Sequence, residues 1–162
     1  MKTLILYRSY YGNTKQVAEA LARQIQSKGN EASVQDIRSR LPDLKGVDSI
    51  IVGAPTRMGR VTRKARTIMG LLRKKGFGTK PIAVFDTIAK LPTSPEELAE
   101  IKRWVDPGAV GRMHQAAKDQ GLNIFSESLR CEVAGTKGPL ADNALEKAAV
   151  FAVSFLSFAR KA

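Results

Sequence analysis

The chain has 162 residues, 43% hydrophobic and 26% charged, with no low-complexity tract or internal repeat among them. Those proportions describe one globular domain over residues 1–162, able to bury about two thirds of its unfolded surface in a single core, and they exclude a disordered or fibrous chain. Lys and Arg outnumber Asp and Glu 27 to 15, and the net charge of +12 suits an acidic or anionic partner, whereas 6% aromatic content and the lack of a nucleic-acid motif argue against nucleic acid.

From the N-terminus, the apolar residues 3–7 form a strand candidate. The chain enters it without the basic, apolar and small-residue leader of a secretory signal, so the expected compartment is the cytoplasm. Then come Ser9, Tyr10, Tyr11, Gly12, Asn13 and Thr14, followed by a helical pattern over 15–28. A strand-to-helix turn of this kind has the form of a phosphate loop. The first N–H groups of a helix are unpaired and its dipoles favour an anion; Gly12 lets the backbone approach, and the hydroxyls of Ser9 and Thr14 add donors. The same residue types also make an ordinary helix cap with a turn. The Gly-Lys-Ser/Thr ending of a nucleoside-triphosphate loop and the three glycines of the dinucleotide fingerprint are both missing, which points away from ATP and NAD.

The hexapeptide resembles the first loop of the flavodoxins, Ser/Thr-x-Ser/Thr-Gly-x-Thr, which holds the phosphate of FMN. Tyr11 is the departure, a bulky hydroxyl where a small one is usual. The resemblance implies that Ser9 to Thr14 contact FMN.

Strand candidates continue at 32–36 and 49–53, and the loop after the latter reads Ala54-Pro55-Thr56-Arg57-Met58-Gly59-Arg60. With Gly53 it has the form Gly-x-Pro-Thr-Arg-x-Gly, which resembles the second flavin loop of the quinone-reductase branch of the same superfamily. That likeness assigns Pro55, Thr56, Arg57, Met58 and Gly59 to the flavin ring. A helix is expected over 62–75. From 49 to 85 there is no acidic residue, while Arg57, Arg60, Arg63, Lys64, Arg66, Arg73, Lys74, Lys75 and Lys80 are basic. This charge reads either as a solvated helix face or as a field steering an acidic redox protein or an anionic substrate to the cofactor.

The next strand candidate is 81–86, and the third ligand loop begins Asp86-Thr87-Ile88-Ala89-Lys90. By the resemblance, Asp86, Thr87, Ile88 and Ala89 meet the ring edge. The family often stacks an aromatic there, but none stands between Asp86 and Glu100, so Met58 and Ile88 become the expected neighbours of the ring, with Tyr10 or Trp104 able to fold over it. Ser94-Pro95-Glu96-Glu97 is a helix start with cap, first-turn Pro and capping-box Glu. Asp106-Pro107 repeats the signal, so two short helices break between 104 and 108 and end by 120. They form either a wall of the site or an elaborated cover on the sheet.

His114 is expected on the surface of the second of these helices. As the only histidine, beside Cys131 as the only cysteine, it leaves no metal set, no hydrolytic triad and no internal disulfide. The last strand candidate, 122–133, is long enough to contain a break. Residues 134–139 are a Gly-rich turn in which Lys137 faces a substrate or partner, or is merely polar. A terminal helix is expected over 141–160. Its apolar run, 148–159, would reach only about 18 Å and cannot span a bilayer core. Apolar residues surround that helix, with Phe151, Phe155 and Phe158 on one side, which leaves surface for a homodimer.

Alternating strands and helices imply an α/β fold with right-handed crossovers. The expected architecture is a flavodoxin-like doubly wound five-stranded parallel sheet, order 2-1-3-4-5, with helices on both faces and a crevice at the carboxyl ends of strands 1 and 3. The resemblance implies an FMN-binding electron-transfer protein that serves a redox partner. The alternative is an FMN-dependent NAD(P)H:quinone reductase, or a related oxidoreductase, acting on a quinone or small anionic substrate. In either case no side chain is assigned a catalytic role, because the redox chemistry belongs to the flavin.

Overall fold

Short apolar runs alternate with amphipathic stretches along the chain, and the computed structural model, which describes residues 1–162, turns each into one element. In order these are β1 (Lys2–Tyr7), α1 (Asn13–Ser27), β2 (Glu31–Asp36), β3 (Ser49–Pro55), α2 (Arg63–Lys74), β4 (Ile82–Ala89), α3 (Pro95–Val105), α4 (Gly108–Asp119), β5 (Leu129–Val133) and α5 (Ala144–Ala159). The strands form one parallel sheet of order β2-β1-β3-β4-β5. The expected fold class is therefore the observed one.

Alternation along the central strands divides the core in two. Leu4, Leu6, Ile50, Val52, Ile82 and Val84 point to the face covered by α2 and α4. Ile5, Ile51, Ala83, Phe85 and Cys131 point to the face covered by α1 and α5. Central strands buried on both faces read as continuous apolar runs, which is why β1, β3 and β4 were legible. Gly53 lies opposite Phe85 in the ladder, and any Cβ on Gly53 would overlap the Phe85 ring. Glycine is needed there for close approach.

Strand ends differ from expectation. Asp86 to Ala89 are not a loop: they pair with Arg130 to Val133 of β5, while Ala54 and Pro55 pair with Asp86 and Thr87. Ladder hydrogen bonds on both sides hold these polar residues in β4 against their weak strand preference. The expected break in the last strand is present, since Ile124 bridges Ile82 but regular pairing resumes only at Leu129 opposite Phe85.

In the break Phe125 turns into the core, its ring centroid 5.8 Å from Phe151, 5.9 Å from Phe155 and 5.0 Å from Phe158. The aromatic side of α5 is thus satisfied internally. What α5 leaves outside is aliphatic: Leu145, Val150 and Val153. His114 is half-buried rather than exposed, because its ring Nε2 lies 3.1 Å from the Phe125 carbonyl oxygen that the break presents. No helix is long and apolar enough to cross a membrane.

Candidate functional site

Strand β1 leaves the sheet on one side and β3 on the other, and a cavity of about 370 Å³ opens between their carboxyl ends. The loop after β1 contributes Ser9, Tyr10, Tyr11, Asn13 and Thr14; β3 and its loop contribute Pro55, Thr56, Arg57 and Met58; β4 contributes Thr87, Ile88 and Ala89. Gly12, Gly59 and Asp86, also expected at the site, stand behind this lining. Val133 joins it from the end of β5 and Gly135 and Thr136 from the β5–α5 connection; the topology puts that turn at the carboxyl rim, but the sequence assigned none of the three to the cofactor. Their only signal was topological, since that connection leaves the same rim.

Gly12 has φ 91° and turns the chain into α1, which a residue with a Cβ would resist. The Ser9 hydroxyl accepts the Gly12 N–H at 3.0 Å. The backbone N–H groups of Tyr10, Tyr11, Asn13, Thr14 and Lys15 donate to no protein atom, and the first turn of α1 carries no acidic residue. Buried Thr14 shares a hydrogen bond with the Thr87 hydroxyl, Oγ1 to Oγ1 2.8 Å, which ties the loop to β4. Asn13 Nδ2 donates to the Lys137 carbonyl oxygen at 3.0 Å, so the β5–α5 connection braces the loop from the far side. Lys137 itself stays outside the lining, its ammonium 5.9 Å from the Tyr11 ring centroid.

After β3 the chain makes a two-residue hairpin turn. Arg57 and Arg60 exchange backbone hydrogen bonds of 3.1 and 2.9 Å, and Met58 (φ 49°) and Gly59 (φ 70°) are both left-handed, as a primed hairpin turn requires. Gly59 cannot be replaced, because a Cβ there would sit 2.5 Å from the Arg103 carbonyl oxygen. Arg112 Nε donates to the Gly59 carbonyl at 3.0 Å. Met58 is consequently thrust outward, 71% exposed, although a left-handed residue with a side chain costs about 1–2 kcal/mol.

Behind the cavity, fully buried Asp86 collects four donors. Arg130 Nε (3.1 Å) and Nη2 (3.0 Å) form a fork on its carboxylate, and the Thr56 hydroxyl (2.7 Å) and the Val110 N–H (3.2 Å) also donate to it. The Thr56 hydroxyl in turn accepts the Ala109 N–H at 2.6 Å. Asp86 and Thr56 therefore cap α4, whose own N-cap residue, Pro107, has no side-chain donor or acceptor to offer. No carboxylate lines the cavity, and Arg57 is its one lining cation. The Tyr10 ring is flanked by the guanidinium carbons of Arg8 at 4.1 Å and Arg57 at 4.5 Å from its centroid. Trp104 is not in the lining; it lies against Gly59. The Cys131 thiol is pushed up to about 12 by burial and then by the Asp86 charge, so it is neutral and no nucleophile.

The donor set fits a phosphomonoester at the head of α1, and the apolar surfaces of Met58, Ile88 and Tyr10 fit a flat ring beside it. Across residues 4–105 the chain matches the family model described as a flavodoxin domain. The chain belongs to the flavodoxin family.

Among solved structures, this family member resembles the short-chain flavodoxin associated with a non-canonical PDU bacterial microcompartment, with a TM-score of 0.73 and 15% identity, 98% of this chain and 99% of that one being covered. It also resembles oxidised flavodoxin 2 from Bacillus cereus, with a TM-score of 0.72 and 24% identity over 98% of this chain and 99% of the other. An NAD(P)H dehydrogenase (quinone) of Gluconacetobacter diazotrophicus is 32% identical over 81 residues, 37% of this chain and 41% of that protein. A putative diflavin flavoprotein A 2 of Thermosynechococcus vestitus is 24% identical over 140 residues, 83% of this chain. This chain spans only 22% of that protein. A flavin is the cofactor the family implies.

Proposed function

We propose that this flavodoxin-family chain binds FMN non-covalently and passes electrons to a protein partner. The observation that carries the reading is the unpaired N–H cluster of Tyr10, Tyr11, Asn13, Thr14 and Lys15 at the acid-free head of α1. Asn13 and Thr14 are buried while Tyr10, Tyr11 and Lys15 are exposed, so the cluster opens to a ligand at its outer edge; donors of this kind at a helix head favour an anion, and a terminal phosphate dianion matches their sign. Bound FMN would supply electron uptake and release in steps of one or two.

The chain's own residues do the rest. The loop from Ser9 to Thr14 holds the phosphate, Thr87 fixes Thr14, and Pro55, Thr56, Arg57 and Met58 with Ile88 and Ala89 border the ring. The Asp86–Arg130 pair keeps Thr56 in place from behind. Since residues 1–162 form the cavity without help from another chain, we take them as the single working domain, and a cytoplasmic setting suits its lone buried thiol.

Calorimetric titration of the flavin-free protein tests this reading. FMN should bind at least tenfold more tightly than riboflavin, and equal affinities, or no binding of either, would overturn the phosphate assignment.

A second reading, an FMN-dependent NAD(P)H:quinone reductase, is favoured by one observation: relatives that bear that name match part of the chain. Steady-state oxidation of NADH or NADPH with benzoquinone decides between them, since rapid multiple turnover without a protein partner would belong to the reductase.

A further inference from the structure

Arg57 and Arg60 close the hairpin, Arg63 opens α2 three residues on, Arg112 donates to the hairpin's Gly59, and the backbone of Arg103 lies against that same glycine. All five arginines are exposed, and none belongs to any of the three ion pairs in the structure. The nearest acids along the chain are Glu100 on α3 and Asp106 in the α3–α4 link, and neither pairs with them. Between Arg57 and Arg60 in the hairpin stands Met58, the most exposed large apolar side chain, on the rim of the cavity.

We propose that this arginine-ringed hairpin is the docking surface for an acidic protein that exchanges electrons with the site, its carboxylates meeting the guanidiniums and an apolar notch receiving Met58. The inference rests on the electron-carrier reading above and names the partner's chemistry.

Three features support it. A guanidinium is weakly hydrated and matches a carboxylate in two parallel bonds, so unpaired arginines cost less to desolvate than lysines would. An apolar, adaptable centre within a charged rim is the anatomy of a protein interface, and Met re-packs readily against different surfaces. A phosphate backbone offers charge but no notch for Met58, which favours an acidic protein over nucleic acid. Arg57 and Met58 also line the opening through which an electron would pass, and no acid lines it.

The test uses FMN-loaded protein reduced with dithionite and mixed in stopped flow with one of two ferric haem proteins, acidic cytochrome b5 or basic cytochrome c. Each haem iron reduced takes one electron from the bound cofactor, and the haem absorbance gives the rate. With cytochrome b5 the second-order rate should fall at least tenfold between about 20 mM and 500 mM salt, and with cytochrome c it should rise. Arg60→Glu/Arg63→Glu should slow the acidic partner at least tenfold at low salt and speed the basic one, while FMN affinity stays within twofold. Arg60→Gln/Arg63→Gln should shift both rates in the same directions by less, a check should the reversal disturb folding. Met58→Ser should slow the acidic partner at high salt too, where charge is screened.

A rate with cytochrome b5 that ignores salt, or that the double variant leaves unchanged, overturns the proposal. So does salt-resistant binding of a single-stranded RNA oligonucleotide that the same variant abolishes, since it would assign the surface to nucleic acid. A chain that stays colourless with FMN defeats the carrier reading instead. Docking is then read by interferometry as salt-sensitive binding of cytochrome b5 to the flavin-free protein.

Discussion

Replacing Arg130 by Met keeps a long side chain at β5 but strips the fork from Asp86. Asp86 has no exposed surface and Arg130 is 24% exposed, so the pair is screened on one side only. Breaking a buried ion pair by deleting one partner costs about 3–5 kcal/mol, because the remaining charge is left in a poorly solvating site. Here the two Arg130 bonds, 3.0 and 3.1 Å, are longer than the strongest charge-assisted bonds, and the Thr56 hydroxyl and Val110 N–H still donate to the carboxylate. The low end, about 3 kcal/mol, is therefore expected, a fall in melting temperature of roughly 6–12 °C for a chain of this size.

Urea unfolding of the flavin-free protein, followed by circular dichroism at pH 7, measures it, with an unchanged slope confirming that the folded state is intact. Asp86→Leu/Arg130→Met should cost no more than Arg130→Met alone, since the buried charge leaves together with its partner. The Val110 N–H and Thr56 hydroxyl would then lack an acceptor, so some loss of about 1–3 kcal/mol remains. A cost below about 1 kcal/mol for Arg130→Met, or a double variant as damaged as the sum of its singles, would show that Asp86 depends on something other than Arg130.

Thr14→Val removes a phosphate donor and leaves the Thr87 hydroxyl without its partner. FMN should bind about 1.5–3 kcal/mol more weakly by calorimetry while riboflavin is unaffected. With its folded-state thiol raised from 9.0 to about 12, Cys131 should resist a thiol reagent at pH 8 until the protein unfolds. That shift stabilises the native state fully below pH 9, and the contribution is lost between pH 9 and about 12 at roughly 1.4 kcal/mol per pH unit. Cys131→Ala, unfolded in urea over the same range, should lack that part of the slope. Arg57→Gln should lower the potential of the second one-electron step of bound FMN by about 40 mV, the one-electron equivalent of ~1 kcal/mol of screened charge interaction, in a redox titration; an unchanged or higher value with FMN still bound would show that the guanidinium faces Tyr10 alone.

The parts of the fold visible in the sequence were those decided locally. The turn from Ser9 to Thr14 announces itself because a strand end, a left-handed Gly12 and a helix start are all fixed by neighbours along the chain. The extension of β4 through Ala89 was not visible. Asp86 and Thr87 are poor strand residues, and only the ladders with β3 and β5, supplied from elsewhere in the sequence, hold them extended. Asp86 was expected at the ring edge, but its side chain is turned behind the cavity to Arg130 and to the head of α4, a partner 44 residues away. His114 misled for the same kind of reason, since its partner is a carbonyl exposed by the break at Phe125. Val133, Gly135 and Thr136 carry no chemistry that a motif could flag, and only the strand order brings them to the rim.

The placement of Asp86 also decides the sign of the field at the site. A carboxylate this close to the cavity would disfavour added negative charge on a bound group, yet its two oxygens are bound to Arg130 and to the positive end of α4, and the pair is nearly neutral as seen from the cavity. What remains is of one sign: the head of α1, Arg57 in the lining and Arg8 against the Tyr10 ring. The two guanidiniums do not neutralise each other, but each lies within cation–π distance of the Tyr10 ring, which offsets part of the cost of holding them near one another. Tyr10 is thereby more than an aromatic wall. It holds two positive charges beside a cavity that no acid lines, and the same polarity continues outward through Arg60, Arg63, Arg103 and Arg112. The cavity that favours an anionic ligand and the surface that favours an acidic partner are then one continuous field, with Arg57 belonging to both.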